Sequence, residues 1–419
     1  MPMAAPASNS SDQSYQRPFI IAWVFGCMFY FLEYASRSSP AVMIPQLSEA
    51  FTVNAVGLSA ILGTYYYTYS TTSLIAGVAL DHSGARYPIS IGIGILCLGC
   101  LLFAVPSALA GNLGRLLQGA GSAFAFTGCV YLASHGFPAR YIATAIGFTQ
   151  CVGMLGGSAG QFVVGPLIHN GLSVHVFWLI LGVMCALVCI GLLLITPREN
   201  MAAEGNGSPW AGIIEPYKVV FSNVQSYLSG LISGLLFAPT TIFAMTWGIA
   251  FFQQDKHFSY SSAVLTCSMV PLGWVIGCPL LGWISDRIGA RKPALIGGAF
   301  LMLISFAQLL LMPGLLPAFA TMLIFGIASG AAMIPYSIIK EANPDNVKGS
   351  ATGAINFLTF GVTALLGPVF ARMYGRDLAT ATDRAAHFKT AGTFWLITTA
   401  LAIVVGFIIK ETGRVKAAK

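Results

Sequence analysis

Residues 77–88 read GVALDHSGARYP, and residues 282–293 read GWISDRIGARKP. Overlaid at an offset of 205 residues, the two stretches share Gly, Asp, Gly-Ala-Arg and Pro at identical spacings, and 205 is close to half of 419. Each copy is a short basic stretch between two apolar runs. A repeat of about half the chain length predicts two homologous halves.

Composition places those halves in a membrane. Charged residues are 8 % and hydrophobic residues 56 % of the chain, against roughly 25 % charged in a soluble domain, so a water-facing surface cannot be built. The net charge of +7 does not imply nucleic-acid binding, because the 21 Lys and Arg residues are scattered over loops and ends. The nine cysteines all fall inside apolar runs. Cys97 and Cys100 form a CxxC with no basic group or helix end nearby to stabilise a thiolate. They read as packing residues. All six histidines lie in loops or at span ends, so neither a metal site nor a cofactor is expected.

Apolar segments long enough for a hydrocarbon core of ~30 Å fall at about 18–45, 55–80, 87–105, 108–134, 141–168 and 174–196. A second set falls at about 224–252, 260–284, 293–313, 317–340, 349–371 and 388–410. The expected fold is therefore all-α, with twelve transmembrane helices in two parallel-repeat six-helix bundles, 18–196 and 224–410. A polar N-terminal tail (1–17) lacks the basic start and short apolar core of a secretory signal. The segment 197–223, with Gly205, Gly207, Pro209 and Pro216, reads as a linker, and 411–419 as a tail. Six spans separate the repeated loops, so both loops lie on one side of the bilayer. Fourteen of the 21 basic residues fall on that side, which the positive-inside rule makes cytoplasmic. The segment with Arg372, Arg376, Arg384 and Lys389 dissents, diluted by Asp377 and Asp383. The expectation is a monomeric, multi-pass protein of the inner membrane with both termini cytoplasmic. Pro138 with Pro344 and Gly147 with Gly353 repeat at an offset of 206, which also pairs Gln150 with Asn356.

The repeated loops resemble the signature of the major facilitator superfamily, GxxxDRxGxRK. Gly282, Asp286, Arg287, Gly289, Arg291 and Lys292 match it fully; Gly77, Asp81, Gly84 and Arg86 match with His82 in place of the usual Arg. Arg115-Leu-Leu-Gln118-Gly119 resembles a second family motif. The resemblance implies two bundles rocking about a cavity lined mainly by spans 1, 2, 4, 5, 7, 8, 10 and 11. It sets Asp81 and Asp286 opposite the N-termini of spans 11 and 5, where a carboxylate gains a few tenths to about 1 kcal/mol. Those contacts would latch the cytoplasmic face, with Arg86, Arg287 and Arg291 beside them. The alternative is a solvated turn obeying topology; duplication of the loop with its Asp favours the latch.

Three ionisable residues lie well inside the spans: Glu33, Arg37 and Arg115. Such residues are expensive in lipid and usually functional. Glu33 and Arg37 are i and i+4 and share a helix face. At 1.5 Å per residue, Glu33 lies within roughly 3 Å of mid-span, and Arg37 and Arg115 both about 9 Å outward. Two guanidinium groups at one depth would make a carboxylate fork. The competing reading is a static ion pair, with Arg115 bonded to backbone carbonyls. Tyr30, Tyr65, Tyr69, Gln150, Trp247, Trp274, Tyr336 and Asn356 are the other candidate lining residues, and Glu33 is the candidate proton carrier.

Arg37-Ser-Ser-Pro-Ala-Val-Met resembles the anion:cation symporter branch, in which an Arg here holds a substrate carboxylate. That branch carries a coupling Glu in span four, where this sequence has Ser122; Glu33 in span one is the only candidate to replace it. The wider FLEYASRSSPAVMIPQL stretch resembles bacterial amino-acid uptake transporters. The resemblance implies uptake of a small carboxylate with protons, not enzymatic chemistry. A passive facilitator or transporter-like sensor remains the alternative. Drug/proton antiport is the weaker reading, because Ser158 replaces the antiporter proline among Gly153, Gly156, Gly157 and Gly160.

Overall fold

The computed structural model describes residues 16–199, 209–312, 314–344, 347–380 and 384–413. Twelve helices dominate it. In the first half they are α1 (Arg17–Ser38, continued by a 3-10 turn Ser39–Val42), α2 (Ala55–Ser83), α3 (Arg86–Phe103), α4 (Ala108–Gly136), α5 (Ala139–Phe162, continued as Val164–His169) and α6 (Val174–Ile195). In the second they are α7 (Val224–Ala238, a π-helical stretch Pro239–Trp247, then Gly248–Lys256), α8 (Tyr260–Ile288) and α9 (Arg291–Leu311). The rest are α10 (Ala318–Ser329, resumed at Ile334–Ala342), α11 (Lys348–Thr380) and α12 (Arg384–Ile408). A short helix, Ile44–Phe51, joins α1 to α2.

Among the described residues, eleven helical stretches are long and apolar enough to cross a bilayer. The twelfth, α2, has the length, 29 residues. Its middle is a run of ten hydroxyl-bearing residues, Thr64 to Ser73. In lipid those hydroxyls must find partners inside the protein. Thr71 and Ser73 donate to carbonyls four residues back, Thr68 to Leu116 O at 2.7 Å, and Ser70 to Phe357 O at 2.6 Å in the other half.

Each bundle is closed by small residues. A Cβ on Gly99 would lie 2.8 Å from Gly114 O, and one on Gly114 the same distance from Gly99 O, so only glycines let α3 and α4 approach this closely. On its other side α3 meets α6 in steps of seven residues. Cys189 Sγ donates to Ser90 O at 3.3 Å and Cys97 Sγ to Gly182 O at 3.2 Å, and His175 Nδ1 lies 2.7 Å from Ala104 O. All nine cysteines are free thiols, as packing residues should be.

The halves meet along two seams, α2 against α11 and α5 against α8. Ser70 donates to Phe357 O on the first and Cys151 to Val275 O on the second. The repeat relates these bonds: offsets of 205 and 206 carry Ser70 to Val275 and Cys151 to Phe357. On the face away from the repeated loops the halves are tied again. Tyr260 donates to Val42 O at 2.8 Å and Gly165 O at 3.2 Å, and Gln161 Nε2 to Ala244 O at 2.6 Å in the π-helical stretch.

Two sequence expectations change. Chain 209–222 of the expected linker is a helix, Pro209–Ser222. The helix of span eleven continues past 371 to Thr380. The N-terminal tail and final residues, 1–15 and 414–419, lie outside the described residues, while Arg17 opens α1 and Glu411 to Gly413 pack back on the protein.

The shared glycine of the two loops has a physical reason: Gly84 and Gly289 both adopt positive φ, 69° and 72°, which a side chain disfavours. A carboxylate following the sixth helix of each half then meets the helix that comes next. Glu199 Oε2 accepts from Ala85 N at 3.1 Å, and Glu411 accepts from Arg291 N at 2.7 Å and Lys292 N at 2.9 Å. Burial pushes the Glu411 carboxyl up, but the backbone N–H groups of Arg291, Gly413, Lys292 and Thr412 outweigh it and hold it below its ordinary value. Its contribution to stability is therefore complete above the unfolded glutamate value of about 4.3 and is lost as pH falls through the lower folded value. Glu411→Gln should lower stability by about 1 kcal/mol at pH 7, the scale of a lost helix cap. Thermal melts of the two proteins should converge only as pH falls through that lower folded value.

Candidate functional site

Inside the first bundle, α1 turns one stripe of side chains inward. Glu33 is 0 % and Arg37 1 % exposed, which the i, i+4 spacing allows while both groups pair. Arg37 Nη2 donates to Glu33 Oε1. The hydroxyl of Tyr65, from α2, completes a triangle. It accepts from Arg37 Nε at 3.2 Å and Nη2 at 3.0 Å, and donates to Glu33 Oε1 at 2.5 Å. Two polar atoms of the triangle, Glu33 Oε2 and Arg37 Nη1, are buried without a hydrogen-bond partner. Buried unpaired groups of this kind are costly and call for an explanation.

Aromatic rings box the guanidinium. Its carbon lies 4.4 Å from the Tyr34 ring, 4.8 Å from Tyr69, 5.1 Å from Tyr65 and 5.1 Å from Phe360. Phe360 belongs to α11, so the box is closed by the opposite half. Contacts of this type hold a cation without neutralising it.

Arg115 departs from the expected fork. Its Nη1 donates to Ser36 O at 3.2 Å and to Gln118 Oε1 at 2.7 Å, and Gln118 Nε2 in turn donates to Gly99 O at 3.3 Å. The head is held between α1, α3 and α4. It lies 4.7 Å from the Tyr65 ring, so Tyr65 touches both guanidinium groups, which do not converge on one point. The backbone-bonded arrangement weighed against the fork is the one observed.

The remaining candidates sort into pairs. Tyr30 donates to Gln150 Oε1 at 3.1 Å, and Tyr336 to Asn356 Oδ1 at 2.6 Å. The two amides matched by the repeat thus each accept from a phenol, and Asn356 Nδ2 is buried without a partner. Trp274 Nε1 is committed to Thr240 Oγ1 at 3.0 Å within the second half. Trp247 ends the π-helical stretch, packed against Tyr374 at 5.8 Å. Neither tryptophan reaches the triangle. Sequence reasoning missed Tyr34, although its spacing from Tyr30 and Arg37 puts it on the same stripe, and missed Phe360 and Gln161, which no pattern marks.

At the repeated loops, Arg291 forks onto Glu341 (Nη2 to Oε1 2.6 Å) and reaches Asp286 Oδ1 at 2.5 Å. Asp286 is 70 % exposed at its side chain and pairs within its own half, not with α5. The expected latch is not made by this residue here, because the α5–α8 seam has parted at that level. The side chain of Asp81 and those of the first turn of α5 lie outside the described residues. Arg287 lies over Trp283 at 5.2 Å instead of joining a gate. Arg86 donates to Thr196 O at 3.4 Å. Where Arg291 finds Glu341, the first half has His135 at the offset of 206.

Residues 26–368 match the family model of the Major Facilitator Superfamily. The chain belongs to that superfamily. Among curated relatives, the membrane sensor protein UhpC of Salmonella typhimurium is 25 % identical over 385 residues, covering 83 % of each chain. The hexuronate transporter of Bacillus subtilis is 24 % identical, over 80 % of this chain and 83 % of that one. Of solved structures, an inward-facing bacterial homolog of the human lysosomal transporter Spinster superposes with a TM-score of 0.74 at 16 % identity, covering 94 % of this chain and 98 % of that one. Nucleoside transporter NupG gives 0.69 at 17 %, with the same coverage of both. The superfamily member is a multi-pass membrane transporter that binds a small molecule within the bilayer, and is not an enzyme.

The triangle makes a direct prediction for this transporter. Tyr65→Phe removes the bridging hydroxyl and leaves Glu33 and Arg37 short of a partner. Thermal stability should fall by about 1–3 kcal/mol, and a melt identical to the parent would show that the hydroxyl does not hold the pair.

Proposed function

We propose that this protein is a proton-coupled importer of a small carboxylate-bearing solute, an amino acid or an organic acid. It works by alternating access of bundles 18–196 and 224–410, as a monomer in the inner membrane with both termini cytoplasmic. The observation that carries the reading is the buried triangle with Arg37 Nη1 and Glu33 Oε2 unpartnered. A substrate carboxylate fits the free edge of the guanidinium. Its arrival brings a second carboxylate to Arg37, where it competes with Glu33. A proton on Glu33 removes that competition and loosens its hold on Arg37. Proton and substrate then favour each other's binding by the same factor. An anionic solute also accords with the relative named for hexuronate.

Arg37→Lys keeps the charge but loses the planar fork. Apparent affinity should fall about tenfold or more, the scale of a lost charge-assisted bond of about 1.5–3 kcal/mol, and unchanged affinity in a binding assay would remove Arg37 from the site. Glu33→Gln mimics the protonated residue. In proteoliposomes it should exchange substrate with little pH dependence yet fail to accumulate it against a gradient. Accumulation driven by a pH gradient in that variant would place the proton elsewhere.

The relative named as a membrane sensor supports a second reading, a transporter-like sensor. Concentrative uptake by the purified protein decides between them.

A further inference from the structure

Two glycine pairs occupy equivalent places in the repeat: Gly77 of α2 with Gly353 of α11, and Gly282 of α8 with Gly147 of α5. Each lies on the side of its seam facing the repeated loops. Ser70 stands opposite Phe357, and a Cβ on Gly353 would lie 3.4 Å from Ser73 O. The same antiparallel register sets Gly77 against Gly349 and Ser350 one turn further on. There the helices have parted. Among the described residues, a Cβ on Gly77 would find no atom of α11 within 4 Å, and one on Gly147 or Gly282 would find nothing at all.

The two gaps differ in one respect. The gap between α2 and α11 holds Tyr217, from the helix Pro209–Ser222, and the gap between α5 and α8 holds no such side chain among the described residues. The Tyr217 hydroxyl donates to Leu74 O of α2 at 2.9 Å. It would lie 4.0 Å from a Cβ on Gly77 and 2.6 Å from one on Gly353, so it sits between the two glycines. The helix that carries it is fastened to the second half. Val220 is fully buried among Ile339, Ala351, Ala354 and Ile355, and Phe221 packs edge-on against Phe357 at 6.1 Å. The ring of Tyr217 stacks on Phe221 at 6.1 Å.

We propose that Tyr217 is a positioning residue for alternating access: a wedge that holds α2 and α11 apart at the loop-bearing face. The surfaces it separates, Gly77 and Gly349–Ser350, are small and suited to close helix contact. With the ring in place they cannot meet. Closing that face requires the linker helix to withdraw Tyr217, while among the described residues nothing stands between α5 and α8. The linker thereby sets how long the state persists, whatever the solute.

The test uses the full-length chain in nanodiscs, without substrate or proton gradient, so its outcome is independent of the proposed transport chemistry. Spin labels at positions 83 and 349, in a background with reactive native cysteines replaced, report the separation of α2 and α11. Tyr217→Ala should move the distribution toward shorter distances, raising the short-distance population at least several-fold. Tyr217→Phe, which loses the hydroxyl lying between the glycines but keeps the ring, should shift the distribution the same way but less than Tyr217→Ala. Loss of a merely structural contact would lengthen or broaden the distances instead, and either that result or an unchanged distribution overturns the wedge. If Tyr217→Ala does not yield folded protein, Tyr217→Leu keeps apolar packing on Phe221 and is read by the same criterion.

Discussion

A guanidinium and a carboxylate four residues apart on one helix, both sealed from water, set the terms for the rest of the structure. Such a pair gains strength from the low dielectric around it but costs several kcal/mol per ion to bury. The protein meets that cost with a phenol that serves both partners, Tyr65, and with four aromatic rings around the cation. The demand propagates outward. Tyr65 must lie on α2, so α2 carries hydroxyls through the bilayer. Thr64, Thr68, Ser70, Thr71 and Ser73 donate to backbone carbonyls, and Ser70 finds its carbonyl on the opposite half.

This coupling puts the site and the inter-half seam on one helix. Between Tyr65 and Gly77, α2 passes from the ion pair, through the α11 contact, to the gap where Tyr217 sits. A rotation of α2 that moves the Tyr65 hydroxyl also moves Ser70 and Leu74. The chemistry of the pair and the geometry of the opening are therefore not separable parts.

How much of this was legible in the sequence follows from what local spacing can encode. The duplicated loop exposed the two halves, and apolar run lengths gave the twelve helices. The i, i+4 spacing of Glu33 and Arg37 gave the ion pair, and the repeat offset gave Gln150 and Asn356 as equivalents. Arg115 shows the limit. Its depth was readable, but its direction depends on how α4 is rotated against α1 and α3, and there it bonds Ser36 O and Gln118. Phe360 was invisible because it reaches Arg37 from a separate bundle. Asp286 pairs with Arg291 of its own half, a partner five residues away that the expected latch left out. Glu199 and Glu411 had a signal that went unread: each half places an acid just beyond its sixth helix.

The paired seams carry a consequence for ancestry. Ser70 reaching Phe357 and Cys151 reaching Val275 are the same contact with the halves exchanged, which is the pattern of an isologous interface, where residue i meets j and j meets i. A half-length chain with this surface would be complementary to itself and would pair about a two-fold axis. Such a dimer is obliged to carry every feature twice, including any charge placed in its core. Joining the copies in one chain lifts that obligation. Glu33 and Arg37 stand in the first copy, and at the offset of 205 the second has Ala238 and Ile242. A core with one such ion pair is open to the joined chain and closed to the symmetric dimer.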